Sequence, residues 1–149
     1  MENSKPEPNV KQAVPFFKVS NLAASLEFYT KGLGFVLKNY WPDKDQMQWC
    51  WLELGHAALM LQEIRPKQVA QEKLGAGCEI CFFCEDALAI YKEVTARGLV
   101  TDEPFVGNNL WVVSLRDPDG YKIAFESPTE VPEETTYTVW IKRGDLNQH

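Results

Sequence analysis

The chain reads as an α+β protein built from two βαβββ modules, and three observations carry that reading. Apolar runs of strand length are interrupted by two stretches of helical period, each preceded by a residue able to cap a helix. The two halves repeat at a constant separation: Val14 falls on Glu79, Val19 on Cys84, Leu22 on Ala87 and Leu26 on Tyr91, an offset of 65 residues. The 149 residues are 45% hydrophobic and 12% aromatic, which suffices for one buried core without disulfide or metal support.

Residues 1–12 carry two prolines, several charges and almost no apolar side chains, so they are predicted to be a flexible lead. From Ala13, VPFFKVSNL gives a short strand ending in Ser20 and Asn21, either of which can cap the following helix. Leu22, Leu26 and Tyr29, with Phe28 beside them, recur at helical spacing and predict a helix near 21–31, stopped by Gly32 and Gly34. FVLKNYW, QWCWLEL and AALMLQEI are strand-like, the last two joined by a tight hairpin at Gly55 and His56.

After a loop over 65–77, CEICFFC begins the second module and DALAIYKEVTARG supplies its helix near 86–97, capped by Asp86 and closed by Gly98. LWVVSL, a turn at Asp117-Pro118-Asp119-Gly120, and YKIAFES complete it. The expected organisation is thus a lead over 1–12, one domain over 13–128 with modules of about 13–64 and 78–128, and an extension over 129–149. In that extension TYTVWIK alternates as a strand does. Because an exposed strand bearing Trp140 would be unfavourable, it is predicted to be an extra strand covering a sheet edge of its own chain or of a partner.

Charge and composition exclude several classes of function. Fifteen Lys and Arg against 21 Asp and Glu leave a net charge of −6 with no basic stripe, which argues against nucleic acid as a partner. The longest apolar runs fall far short of the ~20 residues that span a bilayer, and the first residues lack an apolar signal region, so a soluble cytoplasmic protein is expected. Cys78, Cys81 and Cys84 crowd one apolar segment while Cys50 stands alone, unlike a disulfide framework; reduced thiols are expected. On a strand Cys81 points away from Cys78 and Cys84, and those two lie ~20 Å apart, so no single ion reaches all three.

From Ala13 to Pro128 the chain resembles the vicinal oxygen chelate superfamily, the glyoxalase, bleomycin-resistance and extradiol-dioxygenase group. VSNLAASLEFYTKGLGF is similar to the family's strand, cap, S-x-x-F-Y and L-G-F, and RDPDGYKIAFESP is similar to its final D-P-D-G hairpin. The resemblance implies that the two modules form a curved eight-stranded mixed sheet, an open half-barrel with helices outside and a concave ligand-binding face inside. It also implies a homodimer, since members often pair.

In the enzymes of that superfamily a divalent ion, held by His, Glu or Gln from both modules, acts as a Lewis acid on the concave face. The match places ligand positions on Val14, Glu79 and Ala124, with Glu126 two residues further on the same face, and Leu59, Leu61 or Gln62 as the remaining position. His56 falls in the hairpin turn and His149 is the last residue, so neither is expected on the inner wall. No metal, no cofactor and no catalytic residue are therefore predicted. The alternative is a lyase or isomerase of the glyoxalase type whose oxygen-ligated metal sits at Glu79 and Glu126.

The aromatic load points to binding. Alternation puts Glu79, Cys81 and Phe83 on one face of their strand, Val14, Phe16 and Lys18 on the matching face of the first module, and Trp49 and Trp51 together on theirs. With Trp111 from the other module, the predicted walls are Phe16, Trp49, Trp51, Phe83 and Trp111, and the charged anchors are Glu79 and Glu126. Such a pocket suits a flat or cationic organic molecule through stacking and cation–π contact. The chain is closest in character to the metal-free, bleomycin-resistance-like branch of the superfamily, and that resemblance implies a protein that sequesters a small aromatic or cationic ligand without metal.

Overall fold

The computed structural model describes residues 6, 8–64 and 74–147. Of the expected flexible lead, residues 1–5 and 7 lie outside the described residues, as does most of the loop between the modules.

The first module runs β1 (Phe16–Val19), α1 (Leu22–Glu27), β2 (Val36–Trp41), β3 (Trp49–Leu54) and β4 (Ala57–Glu63), and α1 continues into one wide π turn over Phe28–Gly32. The second runs β5 (Glu79–Phe83), α2 (Ala87–Ala96), β6 (Phe105–Gly107), β7 (Leu110–Arg116) and β8 (Lys122–Pro128). A third helix, α3 (Tyr137–Asn147), follows. The eight strands hydrogen-bond as two open four-stranded sheets of identical order, β1-β4-β3-β2 and β5-β8-β7-β6. In each sheet the first strand pairs in parallel with the last and all other pairs are antiparallel. This is the α+β, two-module fold that the periodicity predicts.

The duplication is visible in the caps. Asn21 accepts from the Ala24 amide at 3.1 Å and Asp86 from the Ala89 amide at 3.0 Å, two N-caps one offset apart making the same bond. Alternation buries one face of each sheet under helices: Phe17, Val19, Cys50, Leu52, Leu59 and Leu61 in the first module, Val113, Leu115, Ile123 and Phe125 in the second. They join a single core.

The modules are tied by the turn between β7 and β8. The Asp117 carboxylate, 5% exposed, accepts the Tyr29 hydroxyl at 2.7 Å and the amides of Asp119 and Tyr121 at 2.9 Å each. Asp119 accepts the Ser20 amide, the Tyr121 hydroxyl donates to the Lys18 carbonyl, and the Arg97 guanidinium donates to the Gly32 carbonyl. Burial pushes the Asp117 carboxyl above the usual carboxylate range although these bonds oppose it. Ionising Asp117 therefore lowers stability as pH rises through its raised value, and the Tyr29 hydroxyl limits that loss. Tyr29→Phe is expected to remove about 2 kcal/mol at neutral pH, since a buried charge loses a donor, and less once acidification protonates Asp117. Urea unfolding at both pH values checks this; an equal deficit at the two would show that the hydroxyl does not serve the carboxylate.

The C-terminal extension departs from expectation: TYTVWIK begins a helix, not an extra strand. Helical geometry puts Tyr137 and Trp140 on one side, where they pack against Tyr91 and Trp111 at centroid distances of 4.9 to 6.5 Å. First-turn donors are satisfied as well, the Tyr137 amide by the Pro104 carbonyl and the Thr138 amide by the Glu103 carboxylate. Tertiary packing overrides the β-propensity of the segment. Only Thr136 keeps a strand-like contact, an isolated bridge to Phe105. No helix of the described residues is long and apolar enough to cross a membrane.

Candidate functional site

The sheet faces opposite the helices are open, and register assigns their side chains row by row. In the first sheet one row is Trp41, Trp49, Gln62 and Lys18, and the next is Asn39, Trp51, Met60 and Phe16. In the second sheet the rows are Glu79, Lys122 and Arg116, then Cys81, Ala124 and Ser114, then Phe83, Glu126, Val112 and Phe105. Trp41 is 59% exposed, Phe83 73% and Phe16 41%, large apolar surfaces left in water. A cavity of about 330 Å³ opens between Trp41, Gln48, Trp49 and Gln62.

The structure thus brings Phe16, Trp49 and Trp51 together on one open face and Glu79, Phe83 and Glu126 on the other. Trp111 belongs to neither. It shares the side of β7 that carries Val113 and Leu115, is 5% exposed, and is covered by Tyr137 and Trp140 of α3. Its expected place in the ligand wall is therefore corrected: strand parity turns it into the helix side. Trp41, which the sequence reading omitted, stands opposite Trp49 on the first sheet's open face. A register shift between Leu37 and Asn39 hides its face from simple alternation, but its position opposite Trp49 across a short loop is a usable signal.

The charges are partly spoken for. Glu79 lies 3.7 Å from the Lys122 ammonium, both side chains being well exposed, so its charge is offset while the pair itself contributes little stability. Lys18 sits 4.7 Å from the centre of the Phe16 ring. Burial, then the carboxylates of Glu126 and Glu79, push the Cys81 thiol upward, which leaves it protonated and a poor nucleophile at neutral pH. Cys50, fully buried, is raised to about 11, and all four cysteines are unpaired.

The positions where the superfamily's enzymes hold a metal do not make a donor set. Val14 and Ala124 offer no lone pair. Glu79 and Glu126 stand two rows apart, ~13 Å along the strands, with Cys81 and Ala124 between them. Among the described residues no group of three or more His, Cys, Asp or Glu could hold a metal ion. His56 occupies the β3–β4 turn, as expected.

The model of the Glyoxalase/Bleomycin resistance protein/Dioxygenase superfamily matches residues 14–125. The chain belongs to that superfamily. None of the curated proteins matches the sequence. Among solved structures it is similar to TnmS3, an antibiotic binding protein from Streptomyces sp. CB03234, at 19% identity and TM-score 0.65 over 83% of this chain and 100% of that one. TioX from Micromonospora sp. ML1 is similar at 18% identity and TM-score 0.65, over 80% of this chain and 99% of that one. Lactoylglutathione lyase from Agrobacterium tumefaciens is similar at 16% identity and TM-score 0.61, over 82% and 96%. At such identities the likeness is one of fold, shared by superfamily members that bind and members that catalyse.

Proposed function

We propose that this superfamily member is a small-molecule binding protein that sequesters a planar aromatic or cationic organic ligand on its open sheet faces, in the cytoplasm and without metal chemistry. The observation that carries the reading is the tryptophan row, Trp41 and Trp49 flanking a cavity with two side-chain amides, and Trp51 in the next row. Rings held on a rigid sheet stack on a flat ligand with little ordering cost. The antibiotic binding protein of the same fold supports the class of function. With Glu79 offset by Lys122, Glu126 is the better anchor for a positive charge. We further propose a homodimer in which a second copy covers these apolar faces.

Proflavine, a planar cation, is the probe. Calorimetry is expected to show saturable binding, with Trp41→Ala and Trp49→Ala each weakening it by about 1 kcal/mol, roughly fivefold, and Glu126→Gln weakening it similarly. Sedimentation of the same samples is expected to report dimers. Unchanged affinity in the double tryptophan variant would sink the reading, and turnover of a hemithioacetal after addition of a divalent metal would put the glyoxalase-type lyase in its place.

A further inference from the structure

The 65-residue relation between the modules holds at the hairpin that precedes each last strand. Gly55 and Gly120 both adopt left-handed φ, at 58° and 87°, and each is followed by one ring residue, His56 or Tyr121, before β4 or β8 begins. The turns themselves differ in length. Five residues, Asp117–Tyr121, connect β7 to β8, whereas only Gly55 and His56 connect β3 to β4.

That difference empties one of two related places. The longer turn reaches the first module with Asp117, Asp119 and Tyr121, and the Tyr121 ring lies flat on Phe17 with centroids 3.9 Å apart and planes within 6°. Phe17 is 3% exposed as a result. The counterpart of Phe17 is Phe82, one offset away on β5, which has no tyrosine on it but meets the Phe35 edge at 5.8 Å and the Phe125 ring at 5.5 Å between centroids. Phe82 is only half-buried and forms part of the wall of a cavity of about 740 Å³, which His56, Glu85, Ile90 and Glu93 also line. This space is bounded by the β3–β4 turn, β5 and α2; it reaches Cys81 and Phe83 at the edge of the second sheet's open face and lies away from the tryptophan row of the first sheet. Its volume is that of a site for a drug-sized molecule.

We propose that this cavity is a second ligand site, taking a planar aromatic molecule with a cationic substituent, whose ring packs against the Phe82 and Phe125 wall at the place related to that of Tyr121 beside Phe17. Charge complementarity sets the cation. Glu93 lies 3.9 Å from Arg97, but Glu85 has no ion-pair partner among the described residues and stands at the rim. The ring fills the space left by the shorter turn, and the ammonium meets Glu85.

Naphthylmethylammonium, followed by backbone amide chemical shifts, tests the site. Saturable shifts are expected at His56, Phe82, Glu85 and Ile90. His56→Tyr supplies the ring that the other junction already has, so it is expected to weaken those shifts at least ~tenfold while raising Tm. Ile90→Trp fills the cavity from the α2 side and is expected to give the same loss should the turn not tolerate the first change. Glu85→Gln should weaken the ammonium probe about fivefold and leave neutral naphthylmethanol unaffected. Shifts at these amides that persist in both filled variants, their absence in the parent protein, or equal binding of naphthylacetate would overturn the proposal. Shifts of the Trp41 and Trp49 indoles report the first sheet's tryptophan row, which shares no lining residue with this cavity, so binding at the two places is read separately.

Discussion

Tyr121→Ala is expected to destabilise the protein by about 3–5 kcal/mol, among the largest losses any single side chain here can cause. The ring is 6% exposed, stacks on Phe17, and bridges modules through its hydroxyl, which donates to the Lys18 carbonyl at 2.8 Å. Truncation removes that area and opens a cavity the neighbours cannot close. On one side stands the Phe17 ring, and on the other the backbone of Gly120 and Tyr121 lies so near Gly75 that an added Cβ there would collide with it. Tyr121→Phe keeps the stack and loses one hydrogen bond, for about 1 kcal/mol. Urea unfolding separates the two variants. A loss under ~1.5 kcal/mol for Tyr121→Ala would mean that the junction is held elsewhere, by Arg97 on the Gly32 carbonyl or by the Tyr29 to Asp117 bond.

The junction also shows what was legible in the sequence. Strands, helices and caps follow from local rules, which is why Asn21 and Asp86 could be assigned and are found capping. A hairpin at Gly55 and His56 and a turn at Asp117–Gly120 were equally plain. Their difference in length was readable too, yet its consequence was not, because whether a turn fills or leaves a space depends on the module packed against it. β6 escaped assignment since three residues carry no period.

Alternation places side chains only relative to their own strand. Phe16 with Lys18 and Trp49 with Trp51 share faces as read, but which face is open depends on where helices pack. For β7 the reading chose the wrong side: Trp111 has the parity of Val113 and Leu115, whose burial shows the helix side. The pairing of Glu79 with Lys122 lies across the parallel β5–β8 ladder, a register no hairpin fixes and a single strand cannot reveal. TYTVWIK shows the opposite limit, a segment with real alternation that folds as a helix because Tyr137 and Trp140 find an aromatic surface at helical spacing.

Trp111 separates support of the fold from ligand contact. Trp111→Ala is expected to lower stability by about 3–5 kcal/mol, because a 5% exposed indole is lost from beneath α3 and Trp140, 5.4 Å away, loses its partner. α3 should then loosen, seen as a drop in near-ultraviolet aromatic ellipticity that Trp111→Phe largely restores. Affinity for proflavine should stay within about twofold of the parent protein, since no atom of Trp111 reaches the open face. The contrast is with Trp49→Ala, which removes a half-exposed ring from a single sheet face and should weaken binding while costing less stability, about 1–2 kcal/mol. Should a folded Trp111→Ala protein lose more affinity than Trp49→Ala, the ligand would lie on the helix side of the second sheet, and the open faces would have to be explained by a partner protein instead.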